Sequence, residues 1–163
     1  MEDTQMSIVD RRGESRIEDR QYWMSILSKA DPRQLQKIWE NTDAKPDFIH
    51  LRQPETGLIM VRARAGGTGQ RFNFGEMTVT RCTVVLKDGT QGFGYVAGTD
   101  RRHAELAAVF DAMMLSSEDR EPLEEWLLAP LAKAYTERRQ TESAKSAATK
   151  VDFFTVVRGE GPK

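Results

Sequence analysis

The run Val84-Val85-Leu86-Lys87-Asp88-Gly89-Thr90-Gln91-Gly92-Phe93-Gly94-Tyr95-Val96-Ala97 decides the fold class. Lys87-Asp88-Gly89-Thr90 interrupts an apolar stretch, and Asp-Gly suits the positive φ angles of a type I′ turn. A strand from about Met77 to Leu86 is therefore predicted to fold back onto Thr90–Gly98. The returning strand alternates glycine with large side chains. Gly92 and Gly94 predict a strand face lying close under a helix or another backbone.

Beyond this hairpin, Asp100 caps a predicted helix running to about Ser116. Its apolar stripe is His103, Leu106, Ala107, Phe110, Met113 and Met114, at helical spacing. Glu121-Pro122 opens a further helix that should bury Leu123, Trp126, Leu127 and Leu131 and kink at Pro130. Residues 133–150 are polar and alanine-rich, a solvated helix or a connector. Val151–Val157 is apolar again, and Phe153, Phe154, Val156 and Val157 form a candidate interface or a segment that closes the domain's own sheet.

Ahead of the hairpin, Leu58 to Ala65 reads as a strand. Met60, Arg62 and Arg64 lie on one face, and Ile59, Val61 and Ala63 on the other. Pro54-Glu55-Thr56-Gly57 reads as a turn, and Phe48–Leu51 as a short strand before it. Asp31-Pro32 is an N-cap followed by proline at the first helical position, with Leu35, Ile38 and Trp39 as the buried stripe. An earlier helix should start near Asp19 as N-cap, with Tyr22, Trp23, Ile26 and Leu27 on one face at helical spacing. Residues 1–18 read as a flexible leader, which leaves 19–160 as one domain. Helices, then antiparallel strands, then helices make an α+β layout.

Composition narrows the function. The chain of 163 residues carries 24 Lys+Arg against 25 Asp+Glu, a balance that disfavours a general polyanion binder. The charge is uneven, however: residues 52–103 hold 8 basic against 4 acidic side chains, and 9 of the 12 glycines. One cysteine, Cys82, excludes an internal disulfide; in a strand it reads as a small core or half-exposed residue. Two histidines, His50 and His103, offer no zinc spacing and no catalytic triad, so neither a metal nor a catalytic residue is assigned. No apolar h-region opens the chain and no stretch approaches membrane-spanning length, which together point to a cytoplasmic protein.

Two places invite an anion. Gly66-Gly67-Thr68-Gly69, flanked by Arg64 and Arg71, could form a nest of backbone N–H groups clamped by two guanidiniums. It lacks the Gly-Lys-Ser/Thr of a P-loop, and a hairpin loop of fixed geometry explains the same glycines. Arg101-Arg102-His103 opens the strongest helix, where free N–H groups favour a phosphate. Solvated arginines with His103 packed on the apolar stripe are the favoured reading of that cluster.

Several blocks occur together in order: Gln21-Tyr22-Trp23-Met24, Glu55-Thr56-Gly57-Leu58, Ala63-Arg64-Ala65-Gly66-Gly67-Thr68-Gly69-Gln70-Arg71-Phe72, Arg101-Arg102-His103-Ala104-Glu105, Leu128-Ala129-Pro130-Leu131 and Val151-Asp152-Phe153-Phe154-Thr155-Val156-Val157-Arg158-Gly159. Over roughly residues 20–160 the sequence resembles the PhnG family of bacterial phosphonate metabolism, the G subunit of the carbon–phosphorus lyase core complex. The resemblance implies an accessory subunit working with the H, I and J proteins. It implies further that the I subunit displaces adenine from ATP with a phosphonate and needs G to do so, and that J carries the radical iron–sulfur chemistry. ATP would then be a substrate of the complex, with no cofactor on this chain, no nucleic acid and no membrane. The resemblance transfers no catalytic residue. The alternatives are a purely structural scaffold of the same complex, or a stand-alone module binding a phosphate ligand or nucleic acid.

Overall fold

A computed structural model of the protein describes residues 17–66, 68–117 and 120–148. Helix α1 occupies residues 17–29. Then come α2 (Pro32–Glu40), strands β1 (Phe48–Arg64), β2 (Arg71–Leu86) and β3 (Gln91–Ala97), and α3 (Arg101–Ser116). The last helical stretch comprises α4 (Glu121–Leu123), a π-helical turn (Glu124–Leu128) and α5 (Ala129–Ala148). The strands form one antiparallel sheet in the order β1-β2-β3, with helices before and after them in the chain, an α+β fold.

Helix α3 is the axis of the core. Val109, Phe110, Ala112 and Met114 on it are fully buried, and it packs on the sheet while α1 and α2 contribute Trp23, Leu27 and Leu35 to the same cluster. Its seat on β3 depends on absent side chains. A Cβ at Gly92 would stand 2.0 Å from the Ala108 carbonyl oxygen, and one at Gly94 1.9 Å from that of Ala104. Two glycines on the strand thus meet the alanine stripe Ala104-Ala108-Ala112 on the helix, so the two backbones nearly touch.

The caps appear as anticipated. Asp31 accepts the Arg33 N–H at 2.8 Å, Pro32 opens α2, and Asp100 accepts the His103 N–H at 2.9 Å. Other expectations need correction. The Lys87–Thr90 hairpin is present, but only Gly89 has positive φ (+89°), so the turn is not type I′. Gly89 N–H bonds the Leu86 carbonyl at 3.0 Å and Leu86 N–H the Thr90 carbonyl at 2.9 Å, the pattern of a type I turn closed by a bulge glycine. Asp88 favours this form by accepting the Thr90 N–H at 2.8 Å.

Pro54-Glu55-Thr56-Gly57 is not a turn. β1 runs through it as a single strand of 17 residues, with register shifts between His50 and Arg52 and between Arg52 and Glu55. Such irregularities absorb a proline that has no N–H for the ladder. β2 likewise begins at Arg71, six residues ahead of Met77.

Asp19 is not the N-cap of the first helix, which already includes residues 17 and 18; of the face expected there, Trp23, Ile26 and Leu27 are buried and Tyr22 is exposed. The kink expected at Pro130 is a π-helical turn just before it, where the Ala129 N–H reaches back to the Glu124 carbonyl. Pro130 supplies no N–H and crowds the carbonyl four residues earlier, so the helix widens there. The extra residue rotates the buried face: Leu127, Leu128 and Leu131 enter the core and Trp126 stays 39% exposed. Residues 133–148 are the solvated helix among the two forms considered. The Val151–Val157 segment, with Phe153, Phe154, Val156 and Val157, lies outside the described residues.

Candidate functional site

The sheet changes character along its length. β3 ends at Ala97, opposite Val79, and past that point β1 and β2 continue as a two-stranded ribbon, Leu58–Arg64 against Arg71–Thr78. Seven residues of strand give this arm a reach of roughly 23 Å. The Gly66–Gly69 loop is its tip. Gly66 has φ +60°, and the Gly69 N–H closes the loop on the Ala65 carbonyl at 3.0 Å. Gly67 lies outside the described residues.

Arg64 and Arg71 are direct cross-strand partners at the tip, and Arg62 shares Arg64's face two residues back. Like charges directly opposite on a ladder repel. Among the described residues none of these three guanidiniums has a hydrogen bond or an ion pair. The tip is therefore a basic point, with all three guanidiniums exposed.

The second predicted cluster is arranged differently. His103 is buried, and its Nε2 donates to the Leu27 carbonyl at 2.8 Å, tying α3 to α1. Arg102 Nε donates to Gln36 Oε1 at 3.0 Å, and its Nη1 contacts Glu105. Glu105 Oε1 also lies 2.9 Å from His50 Nε2, without hydrogen-bond alignment. Arg102 and His103 thus join α3 to its neighbours, while Arg101 is exposed at the helix start. The structure does not bring Arg101, Arg102 and His103 onto one free surface.

The thiol is poor material for catalysis. Cys82 is buried in β2 and donates to the Arg52 carbonyl at 3.4 Å. Burial, with the charge of Glu105, pushes its pKa up to about 11, so it stays protonated at neutral pH. Among the described residues no three His, Cys, Asp or Glu side chains gather where a metal ion could sit. Among the same residues no helix is long and apolar enough to cross a membrane.

One polar centre escaped the sequence reading. Asp111 in α3 is fully buried and accepts four hydrogen bonds: from Arg20 Nη2 at 2.7 Å and Nε at 3.3 Å, from Trp23 Nε1 at 2.8 Å and from the Phe93 backbone N–H at 2.9 Å. It locks α1, α3 and β3 together, and its satisfied bonds make it structural. A signal was present: an acid beside Ala107 and Phe110 on the apolar stripe needs a buried partner.

Comparison with known proteins identifies the family. The family model described as phosphonate metabolism protein PhnG matches residues 18–159. A relative from Rhizobium meliloti (strain 1021), the alpha-D-ribose 1-methylphosphonate 5-triphosphate synthase subunit PhnG, is 45% identical over 147 residues, covering 88% of this chain and 92% of the relative. Both the body and the arm fall inside the matched span, and the chain belongs to the PhnG family of phosphonate metabolism proteins.

Proposed function

We propose that this protein is an accessory subunit of an alpha-D-ribose 1-methylphosphonate 5-triphosphate synthase, acting in phosphonate catabolism. The observation that carries the reading is the near end-to-end match to a relative bearing that subunit name. The site geometry agrees with a non-catalytic role. The thiol is buried and protonated, His103 is committed to a carbonyl, and the basic tip stands apart from both.

On this reading the chain works in a hetero-oligomer with the H, I and J proteins, in the cytoplasm. The I protein is its closest working partner. The bond changes occur on that partner: a phosphonate oxygen displaces adenine at the ribose carbon of ATP, and adenine leaves. ATP is the complex's substrate, no cofactor belongs to this chain, and the iron–sulfur cluster resides on the J protein. Arg64, Gly66, Gly67, Thr68, Gly69 and Arg71 are the residues through which the chain meets the partner or a phosphate it holds.

The test is adenine release from ATP and methylphosphonate by the I protein, with and without this chain. Turnover that depends on adding the full chain supports the proposal. Turnover indifferent to it, with both proteins folded, removes it.

A further inference from the structure

We infer that the β1–β2 arm inserts into an apolar groove on a partner subunit, and that carboxylates of that subunit line the groove's far end. This deepens the accessory-subunit reading and rests on it. A two-stranded ribbon is marginal in water on its own. Yet this one carries large apolar side chains in the open: Leu58 is 63% exposed, Met60 52% and Phe74 72%, with Phe72 edge-on to Phe74 at 6.4 Å. The strand alternation distributes them over both faces. Leu58 and Met60 share the face of Arg62 and Arg64, while Met77 pairs with Ile59 and Phe72 with Ala63 on the other. A flat partner would cover one face only, whereas a groove covers both.

Charge selects the occupant. Residues 58–78 hold Arg62, Arg64 and Arg71 against Glu76 alone. Two copies meeting arm to arm would place these arginines together, which disfavours a second copy. The chain's own segment 149–163 carries Lys150, Arg158 and Lys163 against Asp152 and Glu160, so it supplies no net negative charge. A separate protein with carboxylates facing the tip satisfies both the apolar faces and the guanidiniums. Such charge-assisted pairs would fix the depth of insertion.

The experiment co-expresses the tagged full chain with the H, I and J proteins and measures co-purification, then affinity for the I protein. Phe72→Glu and the double change Arg64→Glu/Arg71→Glu should each weaken association on the order of tenfold or more. Arg64→Lys/Arg71→Lys should keep most of it, and deletion of residues 1–16 should leave it unchanged. The melting temperature of the free variants should match wild type. If wild type assembles and the arm variants assemble equally well, the arm inference falls and the accessory role stands. If wild type neither assembles nor supports turnover, both fall. Free chain that dimerises through the arm, or that binds RNA through Arg64 and Arg71, overturns the inference. So do arm variants that assemble normally but lose turnover, an outcome that would assign the arginines to substrate phosphate.

Discussion

The two halves of β1 live in different surroundings. From Phe48 to Thr56 the strand is tied into the body: Phe48 packs against the core, His50 approaches Glu105, and Thr56 Oγ1 lies 3.0 Å from Thr80 Oγ1, which donates to the Gly98 carbonyl at 2.7 Å. From Leu58 to Arg64 it has only β2 beside it, and its large side chains meet solvent. Exposure alone does not separate the halves, since Ile49 and Leu51 are as exposed as Leu58 and Met60; what separates them is that the body half is tied to α3 and the core, and the arm is not.

That contrast breaks down or sharpens in five measurements, taken from the largest effect to the smallest. Asp111→Ala should cost about 3 kcal/mol in urea unfolding, because it strands a buried indole N–H and a backbone N–H and removes the partner of the partly exposed Arg20 guanidinium. A loss under about 1 kcal/mol would show that the body is not held as described. Gly94→Ala should cost about 3 kcal/mol, since the new Cβ meets a backbone oxygen that cannot swing aside. Thr80→Val keeps the shape but leaves the Thr56 hydroxyl and the Gly98 carbonyl without their partner; about 1.5 kcal/mol is expected.

The fourth measurement varies pH. The Cys82 thiol, held near 11 in the fold against 9.0 as its ordinary value, keeps its proton while the unfolded chain loses it. Stability from this group is therefore complete below about pH 9 and declines between 9 and 11, by at most about 1.4 kcal/mol per pH unit. Cys82→Ala should flatten that part of the profile relative to wild type. An identical slope would remove the account. The smallest effect belongs to the arm: Phe74→Ser should shift the stability of the free chain by no more than about 0.5 kcal/mol, because the side chain is mostly in solvent. A larger loss would mean that the arm supports the body after all.

Signals carried by backbone chemistry were legible in the sequence. Asp31-Pro32 and Asp100 fix helix starts wherever they occur, and alternating Gly92 and Gly94 announce a helix pressed onto the strand. The hairpin at Asp88-Gly89 was visible but not its turn type, because Asp88 favours the bulged form through a bond to Thr90 that dipeptide preferences ignore. Pro54-Glu55-Thr56-Gly57 misled because local turn propensity lost to the ladder with β2, where Glu55 pairs with Arg81. Asp111 stayed hidden because its partners, Arg20, Trp23 and Phe93, come from distant parts of the chain. At the candidate site the glycines and arginines were readable as a loop. That the loop would stand at the end of an unsupported arm followed only from where β3 stops.

Asp111 also guards one point on the edge of the sheet. Its carboxylate takes a backbone N–H on the outer side of β3, and Arg20 reaches over that edge to lie 5.3 Å from the Phe93 ring centre. A strand arriving there finds an occupied hydrogen-bond site, whereas among the described residues the outer side of β1 has no neighbour. Edge-to-edge pairing, the usual route to aggregation of a sheet, is thus obstructed at Phe93 by a side chain whose main task is to hold the core.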